Sequence, residues 1–385
     1  MTTNNDGTLL SGNHAVAWGV KLARPDVAPL YPITPQTPIL EKIIELQDKG
    51  LMTVELLTPE SEHSAMAAAI AASLTGARVF SATSSQGLLL MHELLHYAAG
   101  ARAPIVLFNV NRTPASPWGF WPDQLDSLAQ RDTGWIQLYS ETPQESLDTT
   151  IMAFAIAEAA NIPVMVNHDA FYVSHAVEAV RIPDQQWVDQ FLPPLQLEHK
   201  LDTQTGRSFG APIDQAAWNR SRREMCDAMT KVESLVSQTG QRWGALCGRN
   251  YGPLEHYRTA QADVLIVTMG SMCGTVREAV DEMRQQGQSV GLIKVRLFRP
   301  LPGAALREAL VGVSTVLVLD RNYSPGMGGI LHQELKSALF GMEKAPQIHG
   351  LLAGVGGVNV AAEHIQRWVS QYAQAEACVD SIWVE

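Results

Sequence analysis

The sequence predicts two α/β units built on parallel sheets, and three features of the chain indicate this fold class. With 385 residues it is longer than the roughly 100–200 residues of one ordinary domain. Apolar runs of strand length alternate with helical patterns from residue 12 to residue 170, and the alternation resumes at residue 263. Gly, Pro or Ser separates each pair. This order is typical of parallel sheets with helices on both faces, whose ligands bind at the carboxyl ends of the strands.

The first unit is predicted to alternate helices and strands up to residue 170. The helices span 12–23, 37–49, 61–75, 86–100 and 144–160, and the strands span 28–33, 52–56, 78–82, 104–110 and 163–167. Ser61 provides a helix cap before the apolar stretch 65–74, which is about half the length of a bilayer span and therefore indicates a buried helix. A long loop is expected after strand 104–110. The residues that follow the strands are of most interest: Thr34, Glu62, Ser84 to Gln86, Asn111 and Arg112.

The second unit follows a stretch without this alternation. Residues 176–260 contain a Pro-Pro pair, a polar stretch at 198–206 and a charged helical stretch near 214–238, and we interpret them as a long excursion and linker. The alternation then resumes with strands at 263–268, 289–295 and 315–319 and helices at 275–287 and 303–311. The sequence therefore predicts one domain at 1–255 and a second at 256–385.

Composition excludes several classes of function. A net charge of -11 is the wrong sign for a protein that binds the phosphate backbone of nucleic acid. Charged residues make up only 17%, which favours a subunit whose surface is partly covered by partners. None of the four cysteines forms a C-x-x-C pair, so neither an iron-sulfur nor a zinc ligand set is indicated. No leader or membrane span is evident, and a reducing cytoplasm is expected.

The motif His92-Glu-Leu-Leu-His96 matches the H-E-x-x-H pattern that places two imidazoles on one helix face around zinc. Its surroundings are those of an amphipathic covering helix, and no third histidine follows at the metzincin spacing. A zinc hydrolase is therefore an unlikely alternative.

The turn from Gly270 to Gly274, between a strand and a helix, could present backbone N–H groups to a phosphate. It lacks the third glycine of the dinucleotide fingerprint, and the second strand ends in Lys294-Val-Arg296 rather than in an acidic residue. A nicotinamide enzyme is therefore the weaker reading, and a tight structural turn is favoured.

A third group of residues is spread over several strand ends. The run YPITPQTP at 31–38 places three prolines around two threonines, which holds Thr34 in a fixed position. Glu62 lies in the first turn of a helix, where a carboxylate is favoured by the helix dipole alone. Arg112 precedes a polar loop, where a solvated arginine is common. Their convergence on one sheet edge is what favours a functional site.

Long segments of the chain closely resemble the α subunit, or N-terminal domains, of pyruvate:ferredoxin oxidoreductase and its 2-oxoacid relatives. The segments are YPITPQTP (31–38), the stretch from Glu60 to Glu93 that begins ESEHSA, NVNRTPASPW (109–118), DSLAQRDTGWIQLY (126–139) and PVMVNHDAF (163–171). The second unit resembles the second domain of that family at 264–284, 295–302 and 316–329. The resemblance implies a pyrimidine-type thiamine diphosphate-binding domain followed by a transketolase C-terminal-like α/β domain.

The resemblance also implies roles for individual residues. Glu62 matches the carboxylate that hydrogen-bonds N1′ of the aminopyrimidine of thiamine diphosphate, and Pro32 matches a residue that lines the cofactor pocket. Thr34 and Arg112 match residues that bind the 2-oxoacid. An arginine fork suits a carboxylate, and a threonine hydroxyl suits a carboxylate or keto oxygen.

The expected partner subunits follow from two sequence features that this chain lacks. No G-D-G…N segment for magnesium and diphosphate is present, and the cysteines are too few for a cluster. The resemblance therefore implies a β subunit that carries the diphosphate site, Mg²⁺ and a [4Fe-4S] cluster, together with a γ subunit that helps bind coenzyme A and a ferredoxin-like δ subunit in many relatives. Ferredoxin or flavodoxin would accept the electrons.

Pyruvate is the substrate that the ESEHSA, TSSQG and NR signatures favour over 2-oxoglutarate. Branched-chain 2-oxoacids stay open as alternatives. Directly after Arg112 the loop reads Thr-Pro-Ala-Ser-Pro, where relatives commonly have Ala-Leu-Ser-Ala-Pro. The aromatic residues Trp118, Phe120 and Trp121 lie just past this loop. They either pack as an ordinary loop or face an aromatic 2-oxoacid such as phenylglyoxylate. A non-catalytic binding subunit is a further alternative from another class.

Overall fold

The computed structural model describes residues 7–385 as two α/β units. The strands are β1 (Thr8–Ser11), β2 (Val27–Pro29), β3 (Glu55–Leu57), β4 (Phe80–Thr83), β5 (Val106–Asn111), β6 (Ile136–Tyr139), β7 (Val164–Asp169), β8 (Val177–Val180), β9 (Leu254–Tyr257), β10 (Val264–Thr268), β11 (Val290–Val295), β12 (Leu297–Arg299), β13 (Thr315–Asp320), β14 (Gln347–Leu352) and β15 (Ile382–Trp383). The helices are α1 (Gly12–Ala23), α2 (Thr37–Asp48), α3 (Glu62–Leu74), α4 (Ser85–Leu90), α5 (His92–Gly100), α6 (Leu125–Leu128), α7 (Pro143–Ala160), α8 (Gln185–Phe191), α9 (Gln215–Met229), α10 (Val232–Cys247), α11 (Met272–Gln285), α12 (Gly303–Ala309), α13 (Ile330–Leu339) and α14 (Ala362–Tyr372).

The first sheet has the strand order β12-β6-β7-β5-β4 and is parallel except for β12. The separate parallel pair β2-β3 lies beside β4, because Val27 forms a bridge to Val79. Parallel strands direct their carboxyl ends to one edge. That edge receives the loops that follow β2, β4 and β5.

Side-chain caps begin several helices of the first unit, among them α1, α3 and α7. Ser61 accepts a hydrogen bond from the backbone N–H of Ser64 at 3.2 Å, which starts α3 at Glu62. Ser11 and Thr142 cap α1 and α7 in the same way. Helix α1 packs against α7, and both belong to the largest apolar cluster of the unit.

The second sheet has the strand order β15-β14-β13-β10-β11-β9, with β9 antiparallel to β11 and the others parallel. Strand β12, which follows β11 directly, leaves this sheet and pairs with β6 of the first. Buried ion pairs reinforce that junction, since Glu145 on α7 bonds both Lys294, at 2.6 Å, and Arg296. The two units are therefore joined through both a strand pair and a buried charge network.

The structure differs from the sequence expectations in several places, three of which lie between residues 86 and 260. The predicted helix 86–100 is two helices separated at Met91. The loop expected after β5 contains α6 and β6. The excursion at 176–260 is more than a linker, because α10 buries Val236 and Trp243 in the core of the first unit. Within residues 7–385 no helix has both the length and the apolar character needed to cross a bilayer.

Candidate active site

Arg112 lies at the end of β5 and links the loops that follow β2 and β4. Its Nη1 donates to the backbone carbonyl of Thr34 at 2.6 Å, and its Nη2 donates to Oε1 of Gln86. The residue is only 5% exposed. The predicted convergence of these loops on one sheet edge is therefore present, with the arginine as the connecting side chain.

The guanidinium of Arg112 has a hydrogen-bond donor that the protein does not use. Its Nε is buried and finds no acceptor within residues 7–385. Its faces are covered by aromatic rings, with Cζ at 5.2 Å from the ring centre of Trp118 and at 5.8 Å from that of Phe120. Burial lowers the pKa of Arg112, while the charges of Asp126 and Glu62 oppose this change. An arginine held in this way, with an unused N–H edge, suits an incoming carboxylate.

Asp126 on α6 links the residues around Arg112 by hydrogen bonds. Its fully buried carboxylate accepts hydrogen bonds from the backbone N–H of Ser85 at 2.9 Å, from that of Arg112 at 3.2 Å and from Nδ2 of Asn111 at 2.7 Å. Burial raises the pKa of Asp126 to about 6 despite these donors. Because one carboxylate binds the ends of both β4 and β5, it fixes the spacing between the two loops that hold Arg112 and Gln86.

Glu62 is the first residue of α3 and is 7% exposed. Its carboxylate has no hydrogen-bond or ion-pair partner in the described part of the chain, which is unusual for a group that is costly to bury unpaired. Gly87 of α4 lies directly against it: a Cβ at this position would be 2.5 Å from Glu62 Oε1 and 2.5 Å from Thr83 Oγ1. The glycine therefore lets α4 approach the carboxylate closely, and a larger residue here would displace it.

These groups fit the aminopyrimidine of thiamine diphosphate. Thr83 Oγ1 is buried and has no hydrogen-bond partner among residues 7–385. The same is true of both side-chain amide atoms of Gln36, in the loop after β2. An aminopyrimidine carries ring nitrogens and an amino group that would satisfy an unpaired carboxylate and neutral polar groups of this kind. Glu62 would hold the ring nitrogen N1′.

The four predicted site residues fall into two groups in the structure: Glu62 and Arg112 are buried, whereas Thr34 and Pro32 are exposed. Glu62 and Arg112 lie close enough for the carboxylate to stabilise the charge of the arginine. Thr34 meets Arg112 through its carbonyl, while its side chain is exposed and unbonded among the described residues. Pro32 is also exposed, and its role in lining the cofactor pocket stays a prediction.

Sequence reasoning assigned no role to Gln86, Gly87 or Asp126. Gln86 and Gly87 stand in the TSSQG segment, and Asp126 begins the DSLAQRD segment. Their position in segments that resemble the family is the signal that could have marked them.

The two alternative motifs have structural uses. The rings of His92 and His96 meet edge to face at 5.0 Å, and the part of the chain that the structure describes holds no cluster of three or more metal-ligating side chains. At the Gly270 turn, the backbone N–H of Ser271 donates to Asp169 Oδ2 at 2.9 Å, and Arg321 pairs with the same carboxylate at 3.0 Å. This turn binds the first unit rather than leaving its N–H free for a phosphate.

Comparison with known families decides the assignment. Residues 18–240 match the family described as pyruvate flavodoxin/ferredoxin oxidoreductase, thiamine diphosphate-binding. Residues 262–365 match pyruvate:ferredoxin oxidoreductase core domain II. The chain belongs to the pyruvate:ferredoxin oxidoreductase family. This confirms the predicted 2-oxoacid:ferredoxin oxidoreductase alpha subunit and the thiamine diphosphate-binding domain.

Curated relatives cover nearly the whole chain. Ketoisovalerate oxidoreductase subunit VorA of Pyrococcus abyssi is 46% identical over 93% of this chain and 91% of its own length. Pyruvate synthase subunit PorA of Methanothermobacter thermautotrophicus is 41% identical over 96% of both chains.

Solved structures support the fold. A 2-oxoglutarate:ferredoxin oxidoreductase from Magnetococcus marinus, solved with 2-oxoglutarate, coenzyme A and succinyl-CoA, aligns with a TM-score of 0.75 at 21% identity, over 96% of this chain and 66% of that chain. A split-gene transketolase aligns with a TM-score of 0.53 at 11% identity. Together with the family match at 18–240, these similarities confirm the predicted α/β fold class.

Proposed function

We propose that this family member is the alpha subunit of a pyruvate:ferredoxin oxidoreductase. The complex would convert pyruvate, coenzyme A and oxidised ferredoxin to acetyl-CoA, carbon dioxide and reduced ferredoxin, or run the reverse synthesis. The observation that carries the proposal is the placement, within one thiamine diphosphate-binding domain, of an unpaired buried carboxylate, Glu62, and a buried arginine with an unused N–H edge, Arg112.

Arg112 binds the substrate carboxylate in this proposal. Thr34 O and Gln86 Oε1 each take one of its donors, which fixes the plane of the guanidinium before substrate arrives. The remaining edge, which includes Nε, then receives the carboxylate in a charge-assisted pair. The exposed hydroxyl of Thr34 hydrogen-bonds the carboxylate or the keto oxygen, and Pro32 lines the cofactor side of the same loop.

Glu62 acts on the cofactor. Thiamine diphosphate supplies the nucleophilic carbon and the electron sink for decarboxylation when it is bound. Glu62 holds a proton at the ring nitrogen N1′ and so favours the tautomer in which the neighbouring amino nitrogen acts as a base. The burial of Glu62 strengthens this contact, because a charge-assisted hydrogen bond is stronger where water is excluded.

The remaining parts of the enzyme belong to partners. A β subunit would supply the diphosphate and Mg²⁺ site and a [4Fe-4S] cluster, and γ and δ subunits, coenzyme A and ferredoxin or flavodoxin complete the system. The relatives are named as subunits, which supports a multi-subunit enzyme. Leu89 and Leu90, exposed on α4 just after Gly87, offer apolar surface beside the cofactor site for such a partner. A cytoplasmic location stays a prediction.

A second candidate substrate is 3-methyl-2-oxobutanoate (ketoisovalerate). The specific observation in its favour is the identity of 46% to subunit VorA of Pyrococcus abyssi, compared with 41% to the pyruvate synthase subunit. Both substrates present the same carboxylate and keto group to Arg112 and Thr34, so the mechanism above applies to either.

The test is purification of the native complex through an affinity tag on this chain, followed by assay of ferredoxin reduction with coenzyme A and each 2-oxoacid. We expect pyruvate-dependent reduction by the complex and none by the isolated chain, which lacks half of the cofactor site. Ferredoxin reduction by the pure single chain, or a complete complex that oxidises no 2-oxoacid, would overturn the proposal.

A further inference from the structure

Two exposed aromatic side chains form a wall beside the substrate arginine. Trp118 and Phe120 contact each other edge to face at 5.0 Å between ring centres, and both lie against the guanidinium of Arg112. Yet Trp118 is 54% exposed and Phe120 is 45% exposed. One face of each ring therefore shields the arginine while much of the ring surface stays open. A contiguous apolar surface next to a buried charge is typical of a ligand-binding wall.

The loop that carries this wall is held in place. The hydroxyl of Thr113 donates to the carbonyl of Gly119 and accepts from its N–H, both at 2.8 Å. The N–H of Thr113 donates to the carbonyl of Trp121 at 3.2 Å, and Ser85 Oγ donates to the carbonyl of Thr113 at 2.7 Å. The rings thus stand on a closed loop attached to the end of β4. A wall fixed before substrate binds loses little conformational entropy on binding.

The chemistry of a 2-oxoacid brings its side chain to this wall. The side chain begins at C3, two bonds and about 2.5 Å from the carboxylate carbon. If the carboxylate pairs with Arg112, C3 and the atoms beyond it lie within a few ångströms of the guanidinium. The ring centres of Trp118 and Phe120 are themselves 5.2 and 5.8 Å from its Cζ. The two rings are therefore apolar groups within reach of the substrate side chain.

We propose that Trp118 and Phe120 line the pocket for the substrate side chain, so that this enzyme accepts 2-oxoacids with larger apolar side chains, branched or aromatic, in addition to pyruvate. The inference rests on the proposed function, in which Arg112 binds the substrate carboxylate. The methyl group of pyruvate gains least from the wall, because apolar contact grows with the area buried. A second carboxylate, as in 2-oxoglutarate, faces the negative faces of the rings and is disfavoured.

The test compares substrate ratios in the native complex. The ratio of kcat/KM for 3-methyl-2-oxobutanoate, or for phenylglyoxylate, to kcat/KM for pyruvate is measured in wild type and in Trp118→Ala and Phe120→Ala. We expect each substitution to lower the ratio about tenfold, the size of effect that a few methylene contacts have in an apolar pocket. Trp118→Leu, which keeps an apolar side chain, should lower the ratio less.

A matched control is available on α9. Trp218 is 53% exposed and lies 5.2 Å from Cζ of Arg222, so it reproduces the exposure and stacking of Trp118 outside the site. Trp218→Ala should leave the substrate ratio unchanged. An equal loss of kcat/KM for all 2-oxoacids in Trp118→Ala and Phe120→Ala would show that the rings only position Arg112 and would overturn the inference, as would an unchanged ratio. A wild-type complex that oxidises no 2-oxoacid would instead refute the proposed function, and the inference with it.

Discussion

Gly87→Ala is the smallest change that should disable the cofactor site. Gly87 lies within α4 with an ordinary helical backbone, so alanine is compatible with the local conformation and has the higher helix propensity. The added Cβ, however, would lie 2.5 Å from both Glu62 Oε1 and Thr83 Oγ1. Normal van der Waals contact needs about 3.5 Å. The carboxylate of Glu62 must therefore move by about 1 Å or rotate away.

The size of the effect follows from this displacement. A shift of about 1 Å in a positioned catalytic group costs on the order of 10²-fold in rate. Overpacking a close contact costs about 1–3 kcal/mol of stability, and the helix-propensity gain of about 1 kcal/mol offsets part of it. Activity should therefore fall by at least two orders of magnitude, while the fold survives.

The assay is steady-state 2-oxoacid oxidation by the native complex, together with calorimetric titration of thiamine diphosphate and a melting temperature. Gly303→Ala is the control, since Gly303 is also helical and its Cβ would meet only Ala338 Cβ, at 3.7 Å. A Gly87→Ala complex with wild-type kcat and wild-type cofactor affinity would refute the assignment of Glu62 to the cofactor.

Two further predictions concern the substrate arginine and a buried acid. Arg112→Lys keeps the charge but loses the fork, so kcat/KM for the 2-oxoacid should fall about 10- to 100-fold, and Arg112→Ala should lose more; equal, small changes in both variants would mean that Arg112 does not bind substrate. Burial, with the charges of Asp126 and Asp169, raises the pKa of Asp123 to about 7 from 3.8, so its stabilising contribution is complete below pH 3.8 and is lost as the pH rises through 7. Asp123→Asn, which keeps an acceptor for the N–H of Leu125, should therefore be more stable than wild type at pH 8, by up to about 4 kcal/mol, and this advantage should shrink toward pH 5; a melting-temperature difference that does not depend on pH would contradict this.

Much of the fold could be predicted because local signals agree with it. Helix α1 spans Gly12–Ala23 as expected, since the Ser11 cap and the apolar periodicity both indicate the same start. Strand β6, in contrast, was missed. It has four residues, all of them buried, and it exists through pairing with β7 and β12, which lie far away in the sequence. No local pattern specifies a strand of this kind.

In the candidate site, too, some features could be predicted from local sequence and others depend on contacts between distant residues. Glu62 and Arg112 could be singled out because each follows a strand and carries a charge suited to the chemistry. The contact between Arg112 and Thr34 spans 78 residues and uses the carbonyl of Thr34. The sequence singled out only the hydroxyl of Thr34, as a group for the substrate. The role of Asp126 depends on the ends of two strands meeting over one buried carboxylate. Such contacts are set by tertiary packing and leave no periodic signal in the sequence.

The most direct test of the central claim, that Glu62 activates thiamine diphosphate in this subunit, is the rate of hydrogen–deuterium exchange at C2 of the cofactor in the assembled complex. Glu62→Gln removes the carboxylate that holds the proton at N1′, and we expect exchange to slow by about 10²–10⁴-fold, with the melting temperature unchanged. Glu60→Gln, two residues earlier and exposed, serves as the control and should exchange at the wild-type rate. Exchange at the wild-type rate in Glu62→Gln would contradict the account, because another group would then have to perform the proton transfer.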